Sequence, residues 1–197
     1  MIISKSHRFI FVAVPKTGTS SIENALQSYS AKITRRFNKH ATSLKLIRDL
    51  PRGMWDDYFK FAFVRNPYDR IESWYFYRKR KELASADHPR HKMYTGDKTF
   101  EEFVQWFPKN TMELNQVDFI APHGGGLLID HFGRFETLQA DFSAFCRRLD
   151  LPEIELPQVR ASERDGAGKL WTPESRRIIN EYCADDFAFF DYQVIDP

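Results

Sequence analysis

The sequence predicts an α/β fold with a central, mostly parallel β-sheet flanked by helices. Two runs of apolar, β-prone residues, Arg8–Val14 and Lys60–Val64, are of the kind that parallel sheets bury on both faces. Each run leads through a short polar loop into a segment whose apolar residues have helical spacing. Strands that alternate with helices in this way are typical of α/β proteins.

The N-terminal third contains the first two strand–helix pairs. The strand Arg8–Val14 precedes a helix that Ser and Thr side chains can cap. Lys32–Phe37 is a candidate for a short second strand. Thr42 or Ser43 is then expected to cap a helix that stops at Pro51, because proline has no backbone N–H to continue the helical hydrogen bonds.

The third strand and the middle of the chain come next. Lys60–Val64 is expected to lead into a helix with Pro67 in its first turn, where a missing N–H costs nothing. A polar insertion occupies residues 78–96. Thr99 is then expected to cap a short helix, Phe100–Phe107.

The C-terminal third predicts one more strand and two helices. Leu127–Phe135 is a candidate strand, and Thr137 is expected to open the helix after it. Residues 150–170, rich in Pro, Gly and charge, predict a long loop. Thr172 is the expected N-cap of a final helix with a proline in its first turn. With no internal repeat and no linker, we expect a single domain over residues 1–197.

Composition narrows the class of protein. A net charge of +2 over 197 residues does not indicate a nucleic-acid partner. No apolar run approaches the length of a membrane span, so we expect no integral membrane segment. Cys146 and Cys183 are isolated and match no metal or redox spacing. Buried free thiols in a reducing cytosol are the expected state, which predicts a cytoplasmic protein.

The loop within Val12–Ser21 carries the first chemical signal. It contains one lysine, one glycine and four hydroxyl side chains between a strand and a helix. Such a turn presents backbone N–H groups at a helix N-terminus, where they attract an anion. In a Walker A loop the lysine follows the second glycine, whereas here Lys16 precedes Gly18 and no glycine stands upstream in the loop. The spacing argues against an ordinary ATP or GTP site; a plain helix N-terminus with a surface lysine is the alternative.

A second anion signal lies in Phe63–Ser73. Arg65 comes directly after the predicted third strand, at the edge where α/β sheets place their ligands. Ser73 lies about two turns into the helix that follows. A guanidinium and a hydroxyl on adjoining elements can hold one phosphate from two sides, although Arg65 could instead form an ion pair with Asp69. Two anion sites at neighbouring strand ends suit a nucleotide phosphorylated at both ends.

These two motifs resemble those of a known family. Pro15–Ser20 resembles the 5′-phosphosulfate loop of sulfotransferases that use 3′-phosphoadenosine 5′-phosphosulfate, and Val64–Arg70 with Ser73 resembles their 3′-phosphate motif. The similarity is greatest to carbohydrate sulfotransferases of the Golgi type and their small bacterial relatives. It extends to Gly133–Leu138 and to the Asp186–Tyr192 region.

The resemblance implies a P-loop-like three-layer fold and an enzyme that moves a sulfuryl group from this donor to a hydroxyl. The implied acceptor is a carbohydrate or another hydroxyl-bearing molecule. The Golgi-type members carry an N-terminal membrane anchor, and none is evident here, which agrees with the expected cytoplasmic location. No metal is predicted, because no carboxylate cluster is evident near either motif.

The resemblance also implies roles for individual residues. Lys16 would hold the bridging and sulfuryl oxygens of the donor and act in catalysis, and Arg65 with Ser73 would bind the 3′-phosphate. The loop from Arg160 to Lys169 resembles the family segment that closes over the nucleotide. The residues that would bind the 5′-phosphate are Thr17, Gly18, Thr19, Ser20 and Ser21.

The acceptor hydroxyl also needs a general base within hydrogen-bond reach. We expect this to be His40, just beyond the predicted second strand, since some uronyl sulfotransferases similarly place a functional histidine there. A cap or surface role for that histidine is the alternative. Glu23, Glu72 and His123 are the rival bases.

Two functions of other classes compete with sulfuryl transfer. One is a non-catalytic nucleotide- or phosphate-binding module that keeps the loop without turnover. The other is an ATP-dependent phosphotransferase, which the missing Walker spacing disfavours. The basic stretch of residues 78–92 is either a patch that attracts an anionic acceptor, such as an acidic glycan, or a solvated helix end and loop.

Overall fold

The computed structural model describes residues 1–31, 38–111, 115–121, 125–157 and 170–197. The described chain divides into two compact units. Unit 1 comprises residues 1–31, 38–65, 115–121 and 125–157, and unit 2 comprises residues 66–111 and 170–197. The single domain expected over residues 1–197 stays a prediction.

The secondary structure follows the chain in an alternating pattern. Within the described residues the elements are β1 (Ile2–Ser4), β2 (Phe9–Val12), α1 (Thr19–Leu26), α2 (Ser43–Asp49), α3 (Met54–Asp57), β3 (Phe59–Val64), α4 (Pro67–Arg78), α5 (Lys81–Ala84), α6 (Phe100–Asn110), α7 (Gln116–Ile120), β4 (His131–Arg134), α8 (Leu138–Arg148), α9 (Pro173–Tyr182) and α10 (Ala184–Phe190). Single 3₁₀ turns occupy Gln27–Tyr29, His91–Met93 and Phe135–Thr137.

Unit 1 is built on a four-stranded sheet in the order β1-β2-β3-β4. β2 pairs in parallel with β3, and β3 pairs in parallel with β4, whereas β1 runs antiparallel to β2 at one edge. In this register Phe9 lies opposite Phe59, and Phe61 lies opposite His131. The predicted α/β fold with a mostly parallel sheet is confirmed.

The strand predictions differ from the structure at the edges. β4 is shorter than the predicted Leu127–Phe135, because residues 128–130 form bends before it and Phe135 begins a 3₁₀ turn after it. β1 was missed, since three residues carry no periodic signal. The candidate strand Lys32–Phe37 lies outside the described residues.

The core of unit 1 is aromatic. Alternate residues of β2 and β3 share one face of the sheet and are fully buried: Phe9, Phe11, Phe61 and Phe63. Against them pack apolar residues of α1 and α8: Ile22, Leu26, Phe142 and Phe145. The intervening strand residues are also 0% exposed: Ile10, Val12, Ala62 and Val64. The two central strands are therefore covered on both faces, as parallel strands require.

Gly133 allows β4 to lie close to β3 and α8. A Cβ at this position would lie 2.6 Å from Cε1 of Phe63 and 2.9 Å from Cβ of Asp141. The first atom belongs to a fully buried ring of β3, and the second is fixed to the backbone of α8. No side chain fits here without displacing one of these elements.

Unit 2 is helical in its described residues. Asn66 caps α4 by accepting a hydrogen bond from the N–H of Tyr68, and Pro67 occupies the first turn as expected. Thr99 forms a capping box with Glu102 at the start of α6, which runs to Asn110, beyond the predicted end. The helices pack around a second aromatic core: Tyr68, Tyr75, Phe100, Phe103, Phe107 and Phe187.

The helix expected to be the last is followed by another. Thr172 caps α9 as predicted, but the chain turns at Cys183 and re-enters helix as α10, Ala184–Phe190. The prediction was wrong on this point because neither glycine nor proline marks the break. In both units, no helix among the described residues has the length and apolar character needed to cross a membrane.

Replacing Gly133 by Ala should lower the free energy of unfolding by about 1–3 kcal/mol, the usual cost of overpacking a core. The added methyl group would collide with Phe63 and Asp141. Gly126→Ala is the matched control, because no atom of the described residues lies within 4 Å of its added Cβ. Urea unfolding of both variants measures the difference; equal stability would contradict the close approach of β4.

Candidate functional site

The loop between β2 and α1 makes a tight turn with strained backbone. Lys16 has a φ of 71° and Gly18 a φ of 80°, both in the left-handed region. This region is uncommon for a residue with a side chain, and such strain concentrates at functional sites. The carbonyl of Gly18 accepts hydrogen bonds from the N–H groups of Ser21 (3.0 Å) and Ile22 (3.3 Å), which starts α1. The turn therefore brings the N-terminus of α1 to the carboxyl end of β2.

The N-terminus of α1 is suited to an anion. Its first turn holds no acidic residue, and its first residues are Thr19, Ser20 and Ser21. The first N–H groups of a helix have no intrahelical acceptor, and the helix dipole favours negative charge there. Lys16, at the mouth of the loop, is half-buried.

Two loop residues hold the turn in shape. The hydroxyl of Thr17 is fully buried and donates to the carbonyl of Val14 at 2.9 Å. This side chain, expected to bind a 5′-phosphate, also braces the loop. A Cβ on Gly18 would lie 2.9 Å from Leu138 and 3.3 Å from the Phe135 ring. Both its φ and its packing require glycine.

Arg65 lies directly after β3, as predicted, and its backbone is held by Gln116 of α7. The N–H of Arg65 donates to Oε1 of Gln116, and Nε2 of Gln116 donates to the carbonyl of Arg65, both at 2.8 Å. Gln116 is 0% exposed and Arg65 is 2% exposed. The sequence gives no hint of Gln116, because a glutamine at the start of a short helix carries no motif.

The guanidinium of Arg65 connects the two predicted motifs. Its carbon lies 4.0 Å from the centroid of the Phe135 ring, a close cation–π contact. Its Nη1 donates to the carbonyl of Lys16 at 3.4 Å. β2 and β3 are neighbouring parallel strands, so their carboxyl ends meet at one edge. The prediction that the two strand ends are adjacent is confirmed.

The turn that carries Phe135 is fixed by one carboxylate. Oδ2 of Asp141 accepts from the N–H of Arg134 at 2.7 Å and from the hydroxyl of Thr137 at 2.9 Å. These bonds join the end of β4 to the first turns of α8. The segment Gly133–Leu138, noted in the sequence only for its resemblance, thus supports the Phe135 ring against Arg65 and Gly18.

His40 is bound to the end of β2. Its Nδ1 lies 2.7 Å from the carbonyl oxygen of Ala13. A carbonyl can only accept, so Nδ1 carries the proton and Nε2 keeps a lone pair. Burial lowers the pKa of His40 below its usual 6.5, so the ring is neutral at neutral pH. The structure therefore brings a neutral, oriented imidazole to the strand that leads into the Lys16 loop.

The other candidates for the general base either have structural partners or lie outside the described residues. Glu23 forms ion pairs with the amino group of Met1 and with Lys39, the latter at 2.5 Å. Glu72 belongs to unit 2, where it is buried and accepts from Nε1 of Trp171 at 2.7 Å. His123 lies outside the described residues. Structural partners for the two carboxylates favour His40 among the described candidates.

The remaining predicted residues belong to unit 2 or to residues that the structure does not describe. Ser73 belongs to unit 2, on α4, and is 8% exposed. The segment Arg160–Lys169 lies outside the described residues. Among the residues that the structure describes, no group of three or more His, Cys, Asp and Glu side chains could hold a metal ion.

The fold and the site define an α/β protein in which a strand–loop–helix turn, of the kind that can bind an anion, follows one strand of the sheet. A buried arginine follows the neighbouring strand. The chain belongs to the sulfotransferase family, whose model matches residues 1–193. The predicted family membership is confirmed.

Two relatives resemble this chain in sequence. The chain is similar to carbohydrate sulfotransferase 14 of Danio rerio, with 27% identity over 231 residues, covering 98% of this chain and 62% of that protein. It is also similar to an uncharacterized protein of Archaeoglobus fulgidus, with 25% identity over 127 residues, covering 60% of this chain and 90% of that protein. The chain thus spans 62% of the length of the carbohydrate sulfotransferase that it matches.

Replacing Lys16 by Gly should stabilise the fold relative to Lys16→Ala, because glycine adopts a φ of 71° without strain. The expected gain is about 0.5–1 kcal/mol, since relief of the left-handed strain exceeds the added chain entropy of glycine. Chemical denaturation of the two variants, which both lack the ammonium group, isolates the backbone effect. A less stable glycine variant would show that Lys16 is not strained.

Proposed function

We propose that this chain is an enzyme that moves a sulfuryl group from 3′-phosphoadenosine 5′-phosphosulfate to a hydroxyl of a carbohydrate. The observation that carries the proposal is the hydrogen bond between the Arg65 guanidinium and the Lys16 carbonyl, which joins two anion-binding motifs at neighbouring strand ends. Membership of the sulfotransferase family supports the reaction class.

The loop fits the 5′ end of this donor. The acid-free first turn of α1 and the Gly18 backbone leave N–H groups for a phosphate, and the hydroxyls of Ser20 and Ser21 add further donors. When bound, the donor supplies an activated sulfuryl group and leaves as adenosine 3′,5′-bisphosphate. The ammonium of Lys16 neutralises the charge that develops on the leaving phosphate oxygen.

The 3′-phosphate is assigned to Arg65 and Ser73. Support for Arg65 comes from its place at the carboxyl end of β3 and from the low exposure of the residue, because a charge interacts more strongly with an anion where water is excluded. Support for Ser73 is the family resemblance of its motif. A planar guanidinium can donate two parallel hydrogen bonds to a phosphate.

His40 is assigned as the general base. Its Nε2 accepts the proton of the acceptor hydroxyl as that oxygen attacks sulfur. The bond from Nδ1 to the Ala13 carbonyl holds the ring orientation and stabilises the positive charge that the ring gains. The lowered pKa keeps the ring ready to accept a proton at neutral pH.

A carbohydrate acceptor has two lines of support. The relative in Danio rerio is named a carbohydrate sulfotransferase. In unit 2, the hydroxyl of Tyr77 accepts from Nη1 of Arg90 at 2.7 Å, and the guanidinium of Arg80 lies 5.4 Å from the same ring. An aromatic ring edged by cations suits a sugar that carries negative charge.

The location and the remaining partners are proposed from composition. Cys146 and Cys183 are both free and buried, which fits a reducing compartment and the expected cytoplasmic location. The near-balanced net charge of +2 supports a reaction without a nucleic-acid partner.

Titration calorimetry tests the donor. The protein should bind adenosine 3′,5′-bisphosphate more tightly than ATP, because Arg65 and Ser73 have a 3′-phosphate to bind only in the former. Transfer of labelled sulfate from the donor to a panel of glycans then tests the reaction. Tighter binding of ATP would indicate a phosphotransferase, and nucleotide binding without transfer would indicate a binding module.

Lys16→Ala should lower turnover by at least about 10²-fold, the scale of one lost charge-stabilising group. The fold should stay intact, because the Lys16 side chain is half-buried and the loop is braced by Thr17. Sulfate transfer under saturating donor is the measurement, with circular dichroism as the control for folding. Wild-type turnover would remove Lys16 from the chemistry.

His40→Gln should lower turnover by about 10²–10⁴-fold, because glutamine can keep an N–H donor to Ala13 but is no base. In the wild type, turnover should hold from neutral pH down to 6.5 and fall only below it, since the pKa of His40 lies under 6.5. A pH–rate profile of both proteins checks this. If the turnover of the wild type is already lost above pH 6.5, or if the turnover of His40→Gln equals that of the wild type, His40 is not the base.

A further inference from the structure

We propose that Gln116 and Phe135 are positioning residues that aim Arg65 and thereby set the preference for nucleotides with a 3′-phosphate over those with a 3′-hydroxyl. The inference rests on the proposed function and deepens it, because it names what determines donor specificity. It stands on the contacts that surround Arg65, all within unit 1.

The first contact is a clamp on the backbone. The β3–β4 ladder ends at the pair Val64 and Arg134, so Arg65 is the first residue beyond it. The side-chain amide of Gln116 forms two hydrogen bonds with the backbone of Arg65, one with its N–H and one with its carbonyl, both at 2.8 Å. They replace the two bonds that a neighbouring strand would form with this residue. Gln116 thus fixes the direction in which the Arg65 side chain leaves the strand.

The second contact is a platform for the guanidinium. The Phe135 ring lies 4.0 Å from the guanidinium carbon of Arg65 and also borders Gly18. Asp141 holds the turn that presents this ring. Arginine loses much rotamer freedom when it binds a ligand, and restricting that freedom beforehand favours binding.

The 5′ loop contacts the Arg65 guanidinium and the Phe135 ring, but it also has hydrogen bonds of its own. Its internal bonds run from Thr17 to Val14 and from Ser21 and Ile22 to Gly18. Loss of Gln116 or of the Phe135 ring should therefore weaken the interaction with a 3′-phosphate much more than the interaction with a 5′-phosphate. A residue that only stabilised the fold would affect both equally.

The experiment measures two dissociation constants, one for adenosine 5′-monophosphate and one for adenosine 3′,5′-bisphosphate. The ratio of interest is the first constant divided by the second. In Gln116→Met and in Phe135→Leu the ratio should fall by about tenfold, toward the value in Arg65→Ala. Binding of the 5′-monophosphate should change by less than about twofold. Phe135→Tyr keeps the ring and should keep the ratio.

Gln139→Met is the matched control. Gln139 forms the same kind of two-way bond with backbone elsewhere in unit 1, from its Nε2 to Ile154 (3.1 Å) and from the Leu156 N–H to its Oε1 (2.9 Å). Its loss should leave the ratio unchanged. Thermal unfolding verifies that each variant is folded; if Gln116→Met does not fold, Phe135→Leu decides, since that ring is only partly buried.

An unchanged ratio in the folded variants would overturn the positioning role, and so would equal weakening of both nucleotides. Failure of the proposed function gives a different result. In that case the wild-type protein itself would bind the bisphosphate no more tightly than the monophosphate, and Arg65→Ala would leave the ratio unchanged.

Discussion

The parallel pairing of β2 with β3 is the constraint on which the site depends. Parallel strands end at the same edge of a sheet, so the Lys16 loop and Arg65, 49 residues apart in sequence, reach hydrogen-bond distance. Full burial of both strands makes this register costly to shift, because a slip by one residue would exchange the two faces of the sheet. The aromatic core of unit 1 therefore sets the spacing of the Lys16 loop and Arg65.

The Lys16 loop has an unfavourable backbone conformation that the surrounding residues stabilise. Lys16 takes a left-handed conformation that lysine rarely adopts, and Gly18 takes one while packed against Phe135. The buried hydroxyl of Thr17 ties the turn to Val14. A loop shaped before its ligand arrives loses less freedom on binding, which suits an anion cradle at a helix N-terminus.

A second layer of residues acts through those expected to touch the nucleotide and the acceptor. Gln116 and Phe135 hold Arg65, and Ala13 offers its carbonyl to His40, which selects the tautomer with a lone pair on Nε2. Each of these contacts holds a polar or charged group in a buried or half-buried setting where its partner influences its chemistry. In each of these pairs, one residue is expected to contact the ligand and the other holds that residue in position.

The sequence alone determined the two central strands, the caps at Thr99 and Thr172, a helix that opens at Thr42 or Ser43, and the two motifs around Lys16 and Arg65. These are local signals, in which neighbouring residues decide the backbone. Only the tertiary structure decided that β1 pairs at the sheet edge, that a further helix follows α9, and that Gln116 clamps an arginine 51 residues away. Such contacts leave no periodic trace in the chain, because they arise where separate elements meet and not within any one of them.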